Sequence, residues 1–439
     1  MLAAPPGVSL IGATRPLSAA AMQEIVLEEP YKFVPPIESD WWCWLVRFRL
    51  KGYLRNVFKV TSTECRHADR LKASLDAGHS IVLAPNHCRL SDPMVLGVLS
   101  QQVGTELFAM ASWHLFKESA YQTFLIRRMG AFSIYREGND RQSVNTAIDM
   151  LEHGRRPLII FPEGAVSRHN DLMMEVMDGP AFIARQAAKR REKAGKPGVV
   201  IHPVAIRYSF DGDAERAVLP DVEAFEHRFS WQPQRHLGIV ERIGRIGAAL
   251  IGLKEVEYFG AVREGNPHTR AEKLIVEVLG DLESKWRVTD KGGSVVARVK
   301  ALRSVILPGM IEKKVTEEER QARWRDLAAC YYVQQIAHYP RGYIRAGDAL
   351  PERIIETVER MEEDFTDHAN YHGPMHCTMM VGEAIEVDTK RNRDAEGDPA
   401  MAETRRSIQT MLDQMVAERR AKLGLPERKG KTPHESELM

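Results

Sequence analysis

Between residues 78 and about 210, short apolar runs bounded by turn residues alternate with longer stretches whose apolar positions recur every three or four residues. The runs predict strands at Ser80–Pro85, Leu107–Ala111, Ala131–Tyr135, Pro157–Phe161 and Val199–Tyr208. Between them, Val144, Ala147, Ile148 and Leu151 form a helical stripe over Asp140–His153 that Gly154 ends, and Pro180 starts a second helix over Ala181–Ala194. This alternation predicts an α/β fold, a mixed and mostly parallel sheet flanked by helices. From about 214 to 370 the chain is charge-rich and mainly helical, as in Thr269–Leu282 and Glu317–His338. A strand over 379–387 and a long helix over Pro399–Leu423 follow.

The ends read differently. Residues 1–38, rich in Ala, Pro and Ser, look like a poorly ordered lead-in, and 426–439 like a frayed polar tail. In the segment 39–77, Trp41, Trp42 and Trp44 precede apolar residues interleaved with Arg47, Arg49, Lys51 and Arg55. Such a helix suits a membrane interface, and equally suits packing on the domain with its tryptophans as core.

Bulk properties narrow the class. A chain of 439 residues allows roughly two to three domains. Its net charge of +1 gives no global field for nucleic acid, so any anion binding must be local. Five scattered cysteines without CxxC spacing fit a reducing compartment and suggest no zinc site. No apolar run approaches the roughly 18 residues of a membrane span, and the N-terminus lacks a basic region ahead of an apolar block. A cytoplasmic location is the resulting expectation.

The stretch Asn86-His87-Cys88-Arg89-Leu90-Ser91-Asp92 joins the strand at Ser80–Pro85 to a helix opened by Pro93. His87 leaves the carboxyl end of a strand, where open α/β sheets place ligands. Asp92 reads as the N-cap of the helix, within reach of the imidazole. A histidine held by an acid is the minimal general-base unit, and the same residues also read as an ordinary strand–loop–helix junction. Three further strand ends carry polar groups: Ser133-Ile134-Tyr135-Arg136, Phe161-Pro162-Glu163-Gly164-Ala165-Val166-Ser167-Arg168, and Ile201-His202-Pro203-Val204.

With these four blocks in order, the sequence over about 78–210 resembles the glycerolipid acyltransferase superfamily, which includes glycerol-3-phosphate and lysophosphatidic acid acyltransferases. The resemblance implies the fold of that superfamily and a reaction in which His87 deprotonates an acceptor hydroxyl while Asp92 orients it. The alkoxide then attacks the thioester of acyl-CoA or acyl-carrier protein, with no cofactor or metal needed. Arg136, Glu163 and Gly164 are implied in acceptor binding, joined by Arg89, Ser167 and Arg168, and Asn86, Pro162 and Pro203 in shaping the site. A guanidinium suits an anionic acceptor through paired hydrogen bonds. The chain departs from the pattern at Arg89, where Ser is usual, at Ala165 and Val166 after Glu-Gly, and at Tyr135, where Asp is frequent. The implied substrate is 1-acylglycerol-3-phosphate, giving phosphatidic acid at the inner face of a membrane, with glycerol-3-phosphate or another lysolipid as rival acceptor. A non-catalytic lipid-binding protein or an acyl-CoA thioesterase is the alternative of another class.

The strand at 379–387 looks like one that directly follows the fourth block in this family. The expected architecture is therefore a discontinuous acyltransferase domain, 78–213 plus 376–425, with a helical insertion at 214–375. The basic run over 188–196, with Lys189, Arg190, Arg191, Lys193 and Lys196, could meet CoA phosphates or anionic lipid, or be a solvated helix end. His368, His372 and His376 have helical spacing, but Gly373-Pro374 interrupts it, and no metal is expected there.

Overall fold

The structure, a computed structural model, describes residues 26–288, 293–366, 370–390 and 397–426. Its centre is a sheet whose strands are β1 (Val60–Arg66), β2 (Ser80–Pro85), β3 (Phe108–Ser112), β4 (Ala131–Ile134), β5 (Leu158–Ile159), β6 (Val199–Phe210), β7 (Met375–Val381) and β8 (Ile385–Glu386). The spatial order is β1-β7-β6-β2-β5-β3-β4, with β8 beside β6. β6, β2, β5, β3 and β4 run parallel, whereas β7 and β8 lie antiparallel to β6. The mixed, mostly parallel sheet with flanking helices is the expected fold class. Because the parallel strands share one direction, the loops bearing His87, Arg136 and Glu163 leave the same edge of the sheet.

The helices are α1 (Asp40–Phe58), α2 (Ala68–Asp76), α3 (Asp92–Val103), α4 (Ala120–Arg128), α5 (Arg141–His153), α6 (Gly179–Lys193), α7 (Ala214–Arg228), α8 (Ile239–Phe259), α9 (Pro267–Trp286), α10 (Val295–Ile306), α11 (Pro308–Ile311), α12 (Glu317–Ile336), α13 (Pro351–Thr366) and α14 (Pro399–Lys422). One core lies under α3, α7, α8 and α13, with Leu83, Leu96, Ile206, Val218, Ile243 and Ile355. The opposite face packs against α5 and α6 through Val82, Phe132, Leu151 and Ala184. Helices α9, α10 and α12 have a core of their own around Leu274, Leu302 and Val333. The stretch read as one insertion thus divides by packing: α7, α8 and α13 belong to the sheet's core, and α9–α12 form a satellite.

Three expectations about elements change. The 39–77 segment is helical over α1, but then forms β1, an edge strand paired in parallel with β7. Its mostly polar, β-branched sequence suits a sheet edge rather than a membrane face. Residues 26–38 are not a loose lead-in. The Val34 N–H donates to Ser133 Oγ, the Tyr31 hydroxyl meets the same atom, and Val26 enters the satellite core. Residues 1–25 and 427–439 lie outside the described residues. The strand expected at 379–387 is interrupted at Gly382, whose N–H donates to the Pro203 carbonyl at 2.8 Å. A Cβ there would stand 2.9 Å from Ser407 Oγ and 3.2 Å from that carbonyl, so the close approach requires glycine.

Candidate active site

β2 ends at Pro85 while β6 runs on to Phe210. Asn86 continues the ladder with its side chain: Oδ1 accepts from the Ile206 N–H at 2.7 Å and Nδ2 donates to the Ile206 carbonyl at 2.9 Å. Asn170 treats the backbone of Tyr208 in the same way. These amides hold the loops beside β6, where Pro203 stands opposite Ala84.

On that support, His87 Nδ1 lies 2.8 Å from Asp92 Oδ2. The imidazole stacks on Phe161 with centroids 3.9 Å apart, so its plane is fixed from two sides. Nε2 hydrogen-bonds to no described residue and is not a buried, unpartnered atom. It is the ring nitrogen open to an incoming hydroxyl. Asp92 does not cap α3: the cap position is Ser91, without a side-chain cap bond. Its carboxylate is taken by His87, by the Arg89 N–H at 2.9 Å and by the Tyr208 hydroxyl, which donates to Oδ1 at 2.7 Å. Burial, and the charge of Asp92, push the Tyr208 hydroxyl well above its usual range, so it remains a donor. The pattern signalled Asp92 but not Tyr208, whose role appears only when β6 is laid beside α3.

Other predicted residues brace the loop. Glu163 is buried; Oε1 accepts the His87 N–H at 2.6 Å and Oε2 the Met174 N–H at 3.1 Å. Burial pushes this carboxyl up to about 8, although both N–H groups pull it down. Ser167 donates twice to the His87 carbonyl, from its N–H at 2.7 Å and its hydroxyl at 3.1 Å. Pro162 accepts from the Met177 N–H, and Gly164 adopts a left-handed φ of 71° with Met177 so close that a Cβ would collide with it. Their contacts place Glu163 and Ser167 as positioning residues for His87.

The arginines divide. Arg89 is buried facing Glu359 of α13 at 2.9 Å, and Arg168 pairs with Glu363 of the same helix. Both read from sequence as acceptor groups, yet α13 supplies each with a carboxylate. Arg136 alone of the three makes no side-chain hydrogen bond or close ion pair among the described residues. At the start of α13, Arg353 Nε donates to Asp171 at 2.6 Å, and Arg207 bridges Asp171 at 2.8 Å and Glu352 at 2.6 Å. This charge network ties a helix of the inserted region to the loop that follows the Pro-Glu-Gly turn.

His372 closes the far end of α13. Its Nε2 lies 2.9 Å from Asp221 and its Nδ1 3.2 Å from Glu359, so it is held by carboxylates of two helices. Burial lowers this imidazole, but hydrogen bonds with Asp221 and Glu359 outweigh burial and raise it from 6.5 to about 9. The contribution is therefore complete below the unfolded value near 6.5 and lost as pH rises through 9. We expect the stability difference between the wild type and His372→Gln to reach at most about 3 kcal/mol near pH 6 and to vanish by about pH 10. Melting curves across that range check it, and a pH-independent difference would contradict it. His368 lies outside the described residues, and among those described no group of three ligand-type side chains could hold a metal.

Two members of the basic run on α6 are engaged internally: Arg190 pairs with Asp149 and Glu152, and Arg191 donates to the carbonyls of Pro197, Glu152 and Gly78, while Lys193 and Lys196 are exposed. α1 has two faces. Cys43, Leu54 and Phe58 are buried, and Leu50 packs on Gly97 of α3. Trp41 (65% exposed), Trp44, Leu45 and Phe48 (71%) face outward. Tyr121 and Phe124 of α4 add to that exposed apolar surface, Phe124 meeting Trp42 edge-on at 5.4 Å with the Arg128 guanidinium over its ring.

Residues 62–207 match the family model described as Acyltransferase. This segment is an acyltransferase-family domain. It begins within β1 and ends in β6, so it contains the His87–Asp92 pair and the Pro-Glu-Gly turn. Over 144 residues the chain is 28% identical to the Lyso-ornithine lipid O-acyltransferase of Pseudomonas aeruginosa, covering 32% of this chain and 49% of that protein. The chain thus spans about half the length of that relative. No solved structure matches the chain.

Proposed function

We propose that this protein is an O-acyltransferase that moves a fatty acyl group from acyl-CoA or acyl-carrier protein to a hydroxyl of a lysolipid. The observation that carries this reading is His87, its Nδ1 bound to Asp92 at 2.8 Å and its Nε2 open at the carboxyl edge of the parallel strands. In the reaction Nε2 takes the acceptor hydroxyl's proton as the oxygen bonds to the thioester carbonyl carbon. Asp92 stabilises the imidazolium. The tetrahedral intermediate collapses with cleavage of the carbon–sulfur bond, and the thiolate leaves with the proton from Nε2. Atoms balance as thioester plus alcohol giving ester plus thiol, and the substrate supplies the nucleophile.

The acceptor class follows from two lines of support. The motif resemblance favours 1-acylglycerol-3-phosphate, whereas the relative's name favours lyso-ornithine lipid; both carry a free hydroxyl and an anionic group on one molecule. The exposed Trp41, Trp44, Phe48, Tyr121 and Phe124, with Arg49, Arg127 and Arg128 nearby in the chain, suit the interface of an anionic membrane. No described helix is long and apolar enough to cross a membrane, so attachment would be peripheral. With vesicles containing phosphatidylglycerol, labelled donor and a panel of lysolipids, the wild type is expected to sediment with the lipid and to form a diacyl product. Trp44→Asp with Phe48→Asp should stay in the supernatant yet still acylate a short-chain, water-soluble lysolipid. Vesicle binding unaffected by both aspartates would sink the membrane assignment, and no product with any acceptor would leave the lipid-binding alternative.

A further inference from the structure

Resting on that reading, we infer that Arg303 of the inserted helix α10 joins Arg136 to form a two-arginine site for the acceptor's oxyanion, phosphate or carboxylate. Arg303 is only 8% exposed, and its Nε is buried without a hydrogen-bond partner. Arg136 likewise makes no side-chain hydrogen bond to a described residue. Glu137, also buried, is the acidic group in electrostatic reach of both, and neither arginine hydrogen-bonds it. Two guanidiniums against one carboxylate leave one net positive charge in a poorly solvated place, with donors unused. Burial lowers both arginines while Glu137 opposes it, and Arg303 further depresses Arg136, so the two cations repel until an anion stands between them.

The position of α10 fits the chemistry. A Cβ placed on Gly164 would lie 3.8 Å from Val296, so the start of α10 covers the turn whose Glu163 holds His87. Val296 and Arg303 are seven residues apart, two turns along one helix face, or roughly 10 Å. Arg136 follows β4, three strand spacings from β2, or roughly 14 Å. Arg303, two turns on, acts electrostatically on both Arg136 and Glu137, which sets this part of α10 near the strand end that carries Arg136. An acceptor whose hydroxyl meets His87 Nε2 would turn its charged group toward the two guanidiniums, which their long side chains can carry back toward the base. A sequence reading confined to the four blocks could not reach Arg303, because about 165 residues lie between it and Arg136 in the chain.

The test compares Arg303→Gln and Arg303→Lys with the wild type. Losing a charge-assisted hydrogen bond should raise KM for lysophosphatidic acid or lyso-ornithine lipid about 10- to 100-fold. The KM for palmitoyl-CoA, and kcat with saturating uncharged monoacylglycerol, should hold. Lysine should restore only part of the affinity, since it keeps charge without the planar fork. An increase in the palmitoyl-CoA KM instead would assign the pair to the donor's phosphates and overturn the proposal, as would an unchanged acceptor KM. One readout is independent of acyl transfer: inorganic phosphate should raise the wild-type melting temperature and not that of Arg303→Gln or Arg136→Gln. Equal protection of all three proteins would also overturn it. If no lysolipid is acylated yet phosphate protection follows the arginines, the anion site stands and the acyl-transfer reading fails.

Discussion

Alanine at position 87 is expected to lower acyl transfer by about 10^3-fold or more, because general-base assistance of this kind supplies about 10^2- to 10^4-fold. The loss should fall on kcat, with the KM of donor and acceptor nearly unchanged, since Nε2 acts on the proton in flight rather than on the bound ground state. Asp92→Asn should fall in the same range. The amide can present its NH2 toward Nδ1, and the imidazolium loses its counter-charge. Steady-state kinetics on the two variants, with labelled donor and lysolipid in mixed micelles, check both. A His87→Ala protein within tenfold of wild type would remove His87 from the reaction.

The second large effect is on stability. Asp171 is fully buried between Arg207 at 2.8 Å and Arg353 at 2.6 Å. Burial raises its carboxyl, but the two guanidiniums outweigh that and hold it below the ordinary aspartate range. A depressed carboxylate contributes fully at neutral pH and loses its contribution as pH falls through the folded value. Asp171→Ala strands Arg353 in the interior, leaves Arg207 with Glu352 as its remaining carboxylate, and is expected to cost about 3–5 kcal/mol. For a protein of this size that is a drop in melting temperature of about 3–5 °C. Thermal unfolding followed by circular dichroism measures it, and a change below about 2 °C would show that the network carries little weight. The consequence reaches the site, because the same segment holds Ser167 against the His87 carbonyl and Asn170 against β6.

Strand and helix periodicity exposed the parallel strands and the loop that bears His87, because those strands are buried on both faces and read as continuous apolar runs. β1 escaped because an edge strand with one polar face shows no such run. α13 escaped for the opposite reason. Glu352, Arg353, Glu356, Glu359 and Arg360 look like a solvated face, yet all five are buried. Each charge has partners from distant segments, and no local pattern shows that pairing. The same limit explains Glu163, Ser167 and Arg89: motif position marked them as site residues, but only the folded geometry separates a group that braces the base from one left open to an acceptor. Tyr208 and Arg303 were invisible for want of any local signal, since each meets the site across the sheet or across the insertion.

The central claim is that His87 acts on an acceptor hydroxyl and not on water. Thiol release from palmitoyl-CoA or palmitoyl-carrier protein, followed with and without lysolipid in the same vesicles, tests it most directly. The expected result is release that depends on lysolipid, matches ester formation one to one and disappears in His87→Ala. Thiol release at an equal rate without acceptor, or acyl ester formed at an undiminished rate by His87→Ala, would contradict it.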